Sequence, residues 1–193
     1  MVGGLMVRGL LLAAGAGRRM GMPKALVRDE SGQPWLVRAV GVLRDGGCDA
    51  VTVVLGAAAD EAAALLDGAG VDVVVTADWA EGMGASLRAG LGSLGPDAEA
   101  VLVTLVDLPD VSAAVVRRVL DAGVDSGGVG SGVLRRASYD GRPGHPVLIG
   151  RAHWPGVVAS ADGDRGARDY LAGSAVMYVE CGDLATGHDR DTP

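Results

Sequence analysis

Four short runs dense in valine and leucine, separated by stretches of helical spacing, constrain this chain more than any other feature. Leu5–Leu12, Val51–Leu55, Val71–Val75 and Val101–Val106 are nearly continuous in apolar residues. A strand with one wet face alternates polar and apolar positions, so continuous runs predict strands buried on both faces, as in a parallel sheet. Between them Leu36, Val40 and Leu43, then Leu87, Leu91 and Leu94, then Val115, Val119 and Leu120 recur at helical intervals. Ala59–Leu66 adds an Ala-rich helix, and Ser112 is placed to cap the helix after Pro109. Repeated strand–helix–strand order implies right-handed crossovers and a doubly wound, mostly parallel α/β sheet, here one domain over residues 1–193. Further strands are predicted at Gly127–Arg136, His145–Ile149 and Val176–Val179. They form a mixed-sheet extension folding over one side of a site at the strands' carboxyl ends.

Composition narrows the function classes. A formal net charge of −7 argues against broad electrostatic binding to nucleic acid or to an anionic membrane surface. Leu5–Ala14 is interrupted by Arg8, is too short to span a bilayer and lacks the pattern of a secretory leader, so the expected location is cytoplasmic. Cys48 and Cys181 stand in no metal-ligand spacing. The chain has 17 basic residues, yet Lys24 is its only lysine.

That lysine lies in the loop that follows the first strand. Leu12, Ala13 and Ala14 lead into Gly15 and Gly17, and Arg18, Arg19 and Lys24 follow within seven positions. Glycines let the backbone turn tightly and point its N–H groups inward; with fixed cations beside them they describe a polyphosphate cradle. In a chain otherwise furnished with arginine, a compact ammonium suits a point-charge role on phosphate. A Walker loop would close on Gly-Lys-Ser/Thr, which is absent. A dinucleotide fingerprint would place glycine where Met20 stands and an acid near Val54, Leu55 or Gly56. A nicotinamide-binding oxidoreductase thus shares the first turn but lacks both partners, and a non-catalytic nucleotide-binding module would need only the cradle.

Two further segments carry polar groups to the same end of the sheet. Asp107 follows the fourth apolar run, and Pro109 keeps the turn after it extended, so one carboxylate is available to Mg²⁺. In Trp79–Leu91, Gly82 and Gly84 precede a helix whose first N–H groups, with Ser86, can contact a base or ribose. Gly144 is read as allowing close approach of a ligand.

The run containing Arg19, Met20, Gly21 and Lys24 resembles the opening signature of the molybdopterin-type nucleotidyltransferases, with Gly17 where serine is usual. The Gly-Met-Gly-x-Ser-Leu segment at Gly82 resembles that family's nucleotide pocket, with Thr76 where asparagine is common. The closing segment from Asp189 to Pro193 is similar to its Asp-x-Asp-Thr-Pro tail. Gly141–Arg151 and Gly163–Leu171 resemble acceptor-side segments of the cytidylyl branch, which points to His145, Arg165 and Arg168.

The resemblance implies a Rossmann-like nucleotidyltransferase with a nucleotide-binding half over 1–110 and an acceptor-binding half over 111–193. A phosphorylated acceptor, molybdenum cofactor (molybdopterin), would attack a nucleoside triphosphate, CTP or in guanylyl relatives GTP, and pyrophosphate would leave. Mg²⁺ would be held by Asp107 and Asp191, with Asp189 in reserve, while Lys24 and Arg19 hold the triphosphate. A phosphate acceptor is already ionised near neutral pH and needs no base from His145. A molybdoenzyme or its chaperone is the implied protein partner, and guanylyl or sugar-phosphate transfer on the same scaffold is the alternative. With so acidic a chain, the site is expected to be a local basic island.

Overall fold

The computed structural model describes residues 6–123 and 130–191. In chain order its strands are β1 (Val7–Ala13), β2 (Ala50–Leu55), β3 (Asp72–Val75), β4 (Ala100–Leu105), β5 (Leu134–Tyr139), β6 (Arg142–Gly150) and β7 (Met177–Glu180). The helices are α1 (Trp35–Asp45), α2 (Ala59–Ala64), α3 (Met83–Ser93), α4 (Ala113–Asp121), α5 (Trp154–Ser160) and α6 (Arg168–Ala172). All seven strands form one sheet in the order β3-β2-β1-β4-β6-β5-β7. Every strand runs parallel to β1 except β6, which is antiparallel to both β4 and β5.

Continuous apolar runs do bury both faces in the middle of the sheet. Leu11 and Ala13 of β1 join a core with α1 and α4, while Leu10 and Leu12 join a second core with α3, α5 and α6. Such alternation costs no polar burial because each face carries its own helical layer. The run Val71–Val75 departs from this expectation. β3 is an edge strand in which Val73 and Val75 are exposed, since no described strand pairs beyond it.

In the second half, the first part of the expected strand, residues 127–129, lies outside the described residues. Residues 130–133 form a turn, and β5 starts at Leu134 and runs on to Tyr139. Its polar residues misled the pattern because β5 is central here, sandwiched between β6 and β7. Ser112 does occupy the N-cap position of α4, although its side chain makes no capping hydrogen bond. No helix among the described residues is long and apolar enough to cross a membrane.

Candidate active site

β1 and β4 are neighbours, with Leu12 opposite Leu105, and strands added after each of them lie on opposite sides. This is the switch point of the sheet, where the loops after the two strands part and leave a crevice. Ala14 leads into the glycine-rich loop on one side and Asp107 emerges on the other. A cleft of about 540 Å³ opens between them.

The glycines of the loop serve different ends. Gly17 has φ +58°, and a Cβ there would lie 2.0 Å from the Met22 carbonyl oxygen, so the backbone permits no side chain. That accounts for glycine where serine is usual in the resembled family. Apart from its chain neighbours, no atom of the described residues lies within 4 Å of the absent Gly15 Cβ; the space beside it faces the cleft. A short 3-10 turn, Lys24–Leu26, then carries Lys24 inward.

The Asp107 loop is held from two directions. Arg38 of α1 donates to the carbonyls of Leu108 at 3.1 Å and Pro109 at 2.5 Å. The chain's last described segment runs back along it. The Thr186 N–H and hydroxyl both donate to Asp110 at 2.5 Å, and the Arg190 N–H donates to the Asp107 carbonyl at 2.9 Å. These bonds deliver Asp189 and Asp191 into the cleft; Thr192 and Pro193 lie outside the described residues. Arg38, Asp110 and Thr186 carry no local signal in the sequence, because their partners are brought together only by the fold.

Four charged groups converge there. The Lys24 ammonium lies 2.5 Å from Asp107 Oδ2 and 2.6 Å from Asp191 Oδ1, and Arg19 reaches Asp191 Oδ2 at 2.6 Å. Burial alone would lower the Lys24 pKa, but hydrogen bonds to the two carboxylates and their charges outweigh it and hold the ammonium above its ordinary value. The Lys24 hydrogen bond is likewise the chief reason that Asp191 sits below the usual carboxylate range, with Lys24 and Arg19 charge adding to it against some desolvation.

One carboxylate oxygen from each of Asp107, Asp189 and Asp191 lies within 4.8 Å of the others. Asp107 Oδ1 is buried and has no hydrogen-bond partner among the described residues. An orphaned buried carboxylate oxygen beside two other hard oxygen donors fits a divalent cation.

Every residue expected on the nucleotide side lines this cleft except Gly84. A Cβ on Gly84 would lie 2.9 Å from backbone atoms of Ala161 and Asp162, so this glycine serves packing of α3 against the segment after α5. Gly82 does reach the cleft, as do Ser86 and Trp79. A Cβ on Gly56 would lie 2.4 Å from Trp79 Cβ, so Gly56 lets that ring cross the end of β2. Asp164, which the sequence did not single out, lines the cleft as well.

The expected basic island is absent. Arg18, Arg19 and Lys24 face Asp107, Asp164, Asp189 and Asp191, so the cleft's formal charge is −1. A triphosphate would meet no net attraction until a cation shifted that balance.

His145, Arg165 and Arg168 line a second cavity of about 220 Å³ that shares Leu12, Met83, Leu105, Asp164 and Asp189 with the first. The partly buried His145 ring has its pKa pushed down to about 4, mainly by desolvation and further by the Arg136 charge. It is neutral at pH 7 and a weak base. Gly144 makes room not for a ligand but for the Tyr139 ring, 2.7 Å from where its Cβ would be, and the Tyr139 hydroxyl donates to the His145 carbonyl at 2.5 Å.

A model of the MobA-like NTP transferase domain matches residues 9–179, which include the cradle, Asp107 and the lining of the second cavity apart from Asp189. The chain belongs to this family. Nicotine blue oxidoreductase of Paenarthrobacter nicotinovorans is 37% identical to it, across 96% of this chain and 92% of that protein. Among solved structures, Rv0371c from Mycobacterium tuberculosis H37Rv is 28% identical with a TM-score of 0.77, covering 97% of this chain and 93% of that one. A complex of Rv0371c with manganese is 29% identical with a TM-score of 0.75, covering 96% and 94%. Membership makes the chain a nucleotidyltransferase in fold and class, and enzymes of this class typically use a divalent metal, for which the three aspartates are the candidate ligands.

Proposed function

We propose that the protein transfers a nucleotidyl group from CTP to a phosphorylated acceptor, molybdenum cofactor, and releases pyrophosphate. The observation that carries this reading is the convergence of Lys24 with Asp107, Asp189 and Asp191 beside the glycine-rich loop at the sheet's switch point. In the reaction an acceptor phosphate oxygen forms a bond to the α-phosphorus of the triphosphate. The bond from that phosphorus to the bridging oxygen breaks, and its electron pair leaves with pyrophosphate. Residues 1–110 would bind the nucleotide and 111–193 the acceptor.

The chain's own groups position the reactants. Loop N–H groups around Gly15 and Gly17 face the phosphates, and Lys24 and Arg19 exchange their carboxylate partners for phosphate oxygens, so that cationic charge meets the departing pyrophosphate. Asp107 and Asp191, with Asp189 beside them, would hold Mg²⁺. When bound, the ion would screen the two anions that must meet. The manganese complex of Rv0371c supports a divalent ion in this family. A cytosolic setting and delivery of product to a molybdoenzyme or its chaperone complete the proposal.

A second reading is favoured by one observation, the 37% identity to nicotine blue oxidoreductase. It would have the cleft hold a nicotinamide cofactor. Against it, the end of β2 offers Val54, Leu55 and Gly56 where a ribose acid would stand, and Gly56 is already occupied by Trp79. Three clustered carboxylates have no task in hydride transfer.

One experiment separates the readings. Pyrophosphate release is measured with CTP, GTP, ATP and UTP, each with molybdopterin, with and without Mg²⁺. Oxidation of NADH and NADPH by nicotine blue is followed in parallel. Metal-dependent release with CTP above the other nucleotides is expected. Release with GTP alone would move the donor, and dye-dependent oxidation without any release would overturn the proposal.

A further inference from the structure

β5 carries a charged residue where its pattern calls for an apolar one. Leu134 joins the core under α3, α5 and α6, and strand alternation turns Arg136 to the same face. Arg136 stands directly opposite Val147 of β6, and both line the 220 Å³ cavity. Leu87, Val103, Ile149 and Leu171 supply aliphatic wall, and Asp164 and Asp189 line the side that the cavity shares with the larger cleft.

The guanidinium is held in place. Arg136 Nε donates to the Gly144 carbonyl at 2.9 Å, which aims the remaining N–H groups without neutralising them. Burial lowers the Arg136 pKa; the nearby Tyr178 partly offsets this, and the Arg168 charge lowers it further. It nonetheless stays cationic, as arginine does in proteins. Arg165 is paired with Asp169 at 3.1 Å, whereas among the described residues no carboxylate pairs with Arg136 or Arg168. With Arg136, Arg165 and Arg168 against Asp164 and Asp189, the cavity's formal charge is +1, and two guanidinium groups that share it without a described ion-pair partner strengthen an anion's binding there.

We infer that Arg136, with Arg168, binds an anionic group of the acceptor, and that the cavity selects a phosphate with an apolar or flat body over a polyhydroxylated sugar phosphate. The word acceptor rests on the function proposed above; the anion site itself does not. A sugar hydroxyl turned toward Leu87, Val103, Ile149 or Leu171 would lose water and find no side-chain partner there, which costs affinity for each one left unpaired. A flat or apolar body loses nothing there and keeps the arginine contacts.

The test is calorimetric binding of two phosphate monoesters, phenyl phosphate and glucose 1-phosphate, to the full chain. Phenyl phosphate should bind the tighter by about tenfold, and Arg136→Gln should weaken it by about tenfold or more, as loss of a charged hydrogen-bond donor does. Lys24→Ala should leave phenyl phosphate binding unchanged, which separates this cavity from the cleft. Equal affinity for both esters, or loss on Lys24→Ala but not on Arg136→Gln, would overturn the inference. Should Arg136→Gln fail to fold by circular dichroism, Arg168→Gln, whose side chain is exposed, carries the same comparison. Binding requires no turnover. Phenyl phosphate held through Arg136 by a protein that releases no pyrophosphate would sustain the anion site and sink only the proposed reaction.

Discussion

The two cavities meet at Asp164 and Asp189 but treat charge in opposite ways. In the larger one two of the three cations are already engaged: Lys24 bridges Asp107 and Asp191, and Arg19 holds Asp191, while Arg18 has no described carboxylate partner. In the smaller one Arg136 and Arg168 have no described carboxylate partner. A paired cleft offers less to an anion arriving alone, since contacts to Lys24 and Arg19 must first break internal ion pairs. If a divalent cation came with the anion, Asp107, Asp189 and Asp191 would hold the ion, and Lys24 and Arg19 would be left to the phosphates. The unpaired cavity needs no such exchange. On the function proposed above, the larger cleft would take a metal-bound triphosphate and the smaller a bare anion.

The contrast is broken most directly by removing a member of the paired set. Asp107→Asn and Lys24→Ala should each lower pyrophosphate release by at least about tenfold, or ~1.4 kcal/mol in barrier. Asp107→Asn should also weaken Mn²⁺ binding measured by calorimetry, because it replaces a buried carboxylate, one oxygen of which has no described partner, with a neutral amide. A folded Asp107→Asn protein with near-normal release and metal affinity would show that the cluster is merely a structural ion-pair network.

A smaller effect separates the roles of two glycines in the cradle. Gly17→Ser forces a side chain into left-handed backbone against the Met22 carbonyl and should cost about 1–3 kcal/mol in urea unfolding. Gly15→Ala meets no described atom beyond its chain neighbours and should leave stability unchanged while reducing CTP affinity, since the added methyl occupies space open to the cleft. A stable Gly17→Ser protein would mean that the loop adopts another path. Unchanged CTP affinity in Gly15→Ala would move the phosphates elsewhere.

These particulars show what a sequence can carry. The cradle was legible because its signals are local: glycines at a strand end, and one lysine in a chain of arginines. Asp107 was legible for the same reason, as the residue that follows a buried strand. The tail aspartates could be named from the resemblance, but their seat depends on Thr186 and Arg190 reaching Asp110 and Asp107, contacts between segments distant in sequence. Arg136 was invisible because its meaning depends on β6 lying between β4 and β5, an order that no apolar pattern specifies. Gly84 and Gly144 were misread for a related reason. A glycine announces a close approach but not what approaches, and here it is backbone at Ala161 and the Tyr139 ring. The charge of the cleft failed as an expectation because counting basic residues in one loop ignores the acids that other loops bring.

The smallest predicted effect probes the unpaired cavity through His145. In the unfolded chain a histidine titrates near pH 6.5, whereas burial and then the Arg136 charge hold the folded ring near pH 4. Between those values the unfolded chain takes up a proton that the folded one refuses. Stability contributed by the neutral ring is thus complete above about pH 6.5 and declines as pH falls toward 4. The loss is at most about 3 kcal/mol, less any relief from water entering the cavity. Urea unfolding at pH 7 and pH 5 should show a smaller drop for His145→Gln than for the natural chain. The His145 ring proton resonances should titrate near pH 4 in the natural chain. In Arg136→Gln the midpoint should rise only part of the way, because desolvation is the larger cause. A midpoint near 6.5 in the natural chain would mean that the ring is well hydrated, and the smaller cavity would then be no better than the paired cleft at holding an anion against water.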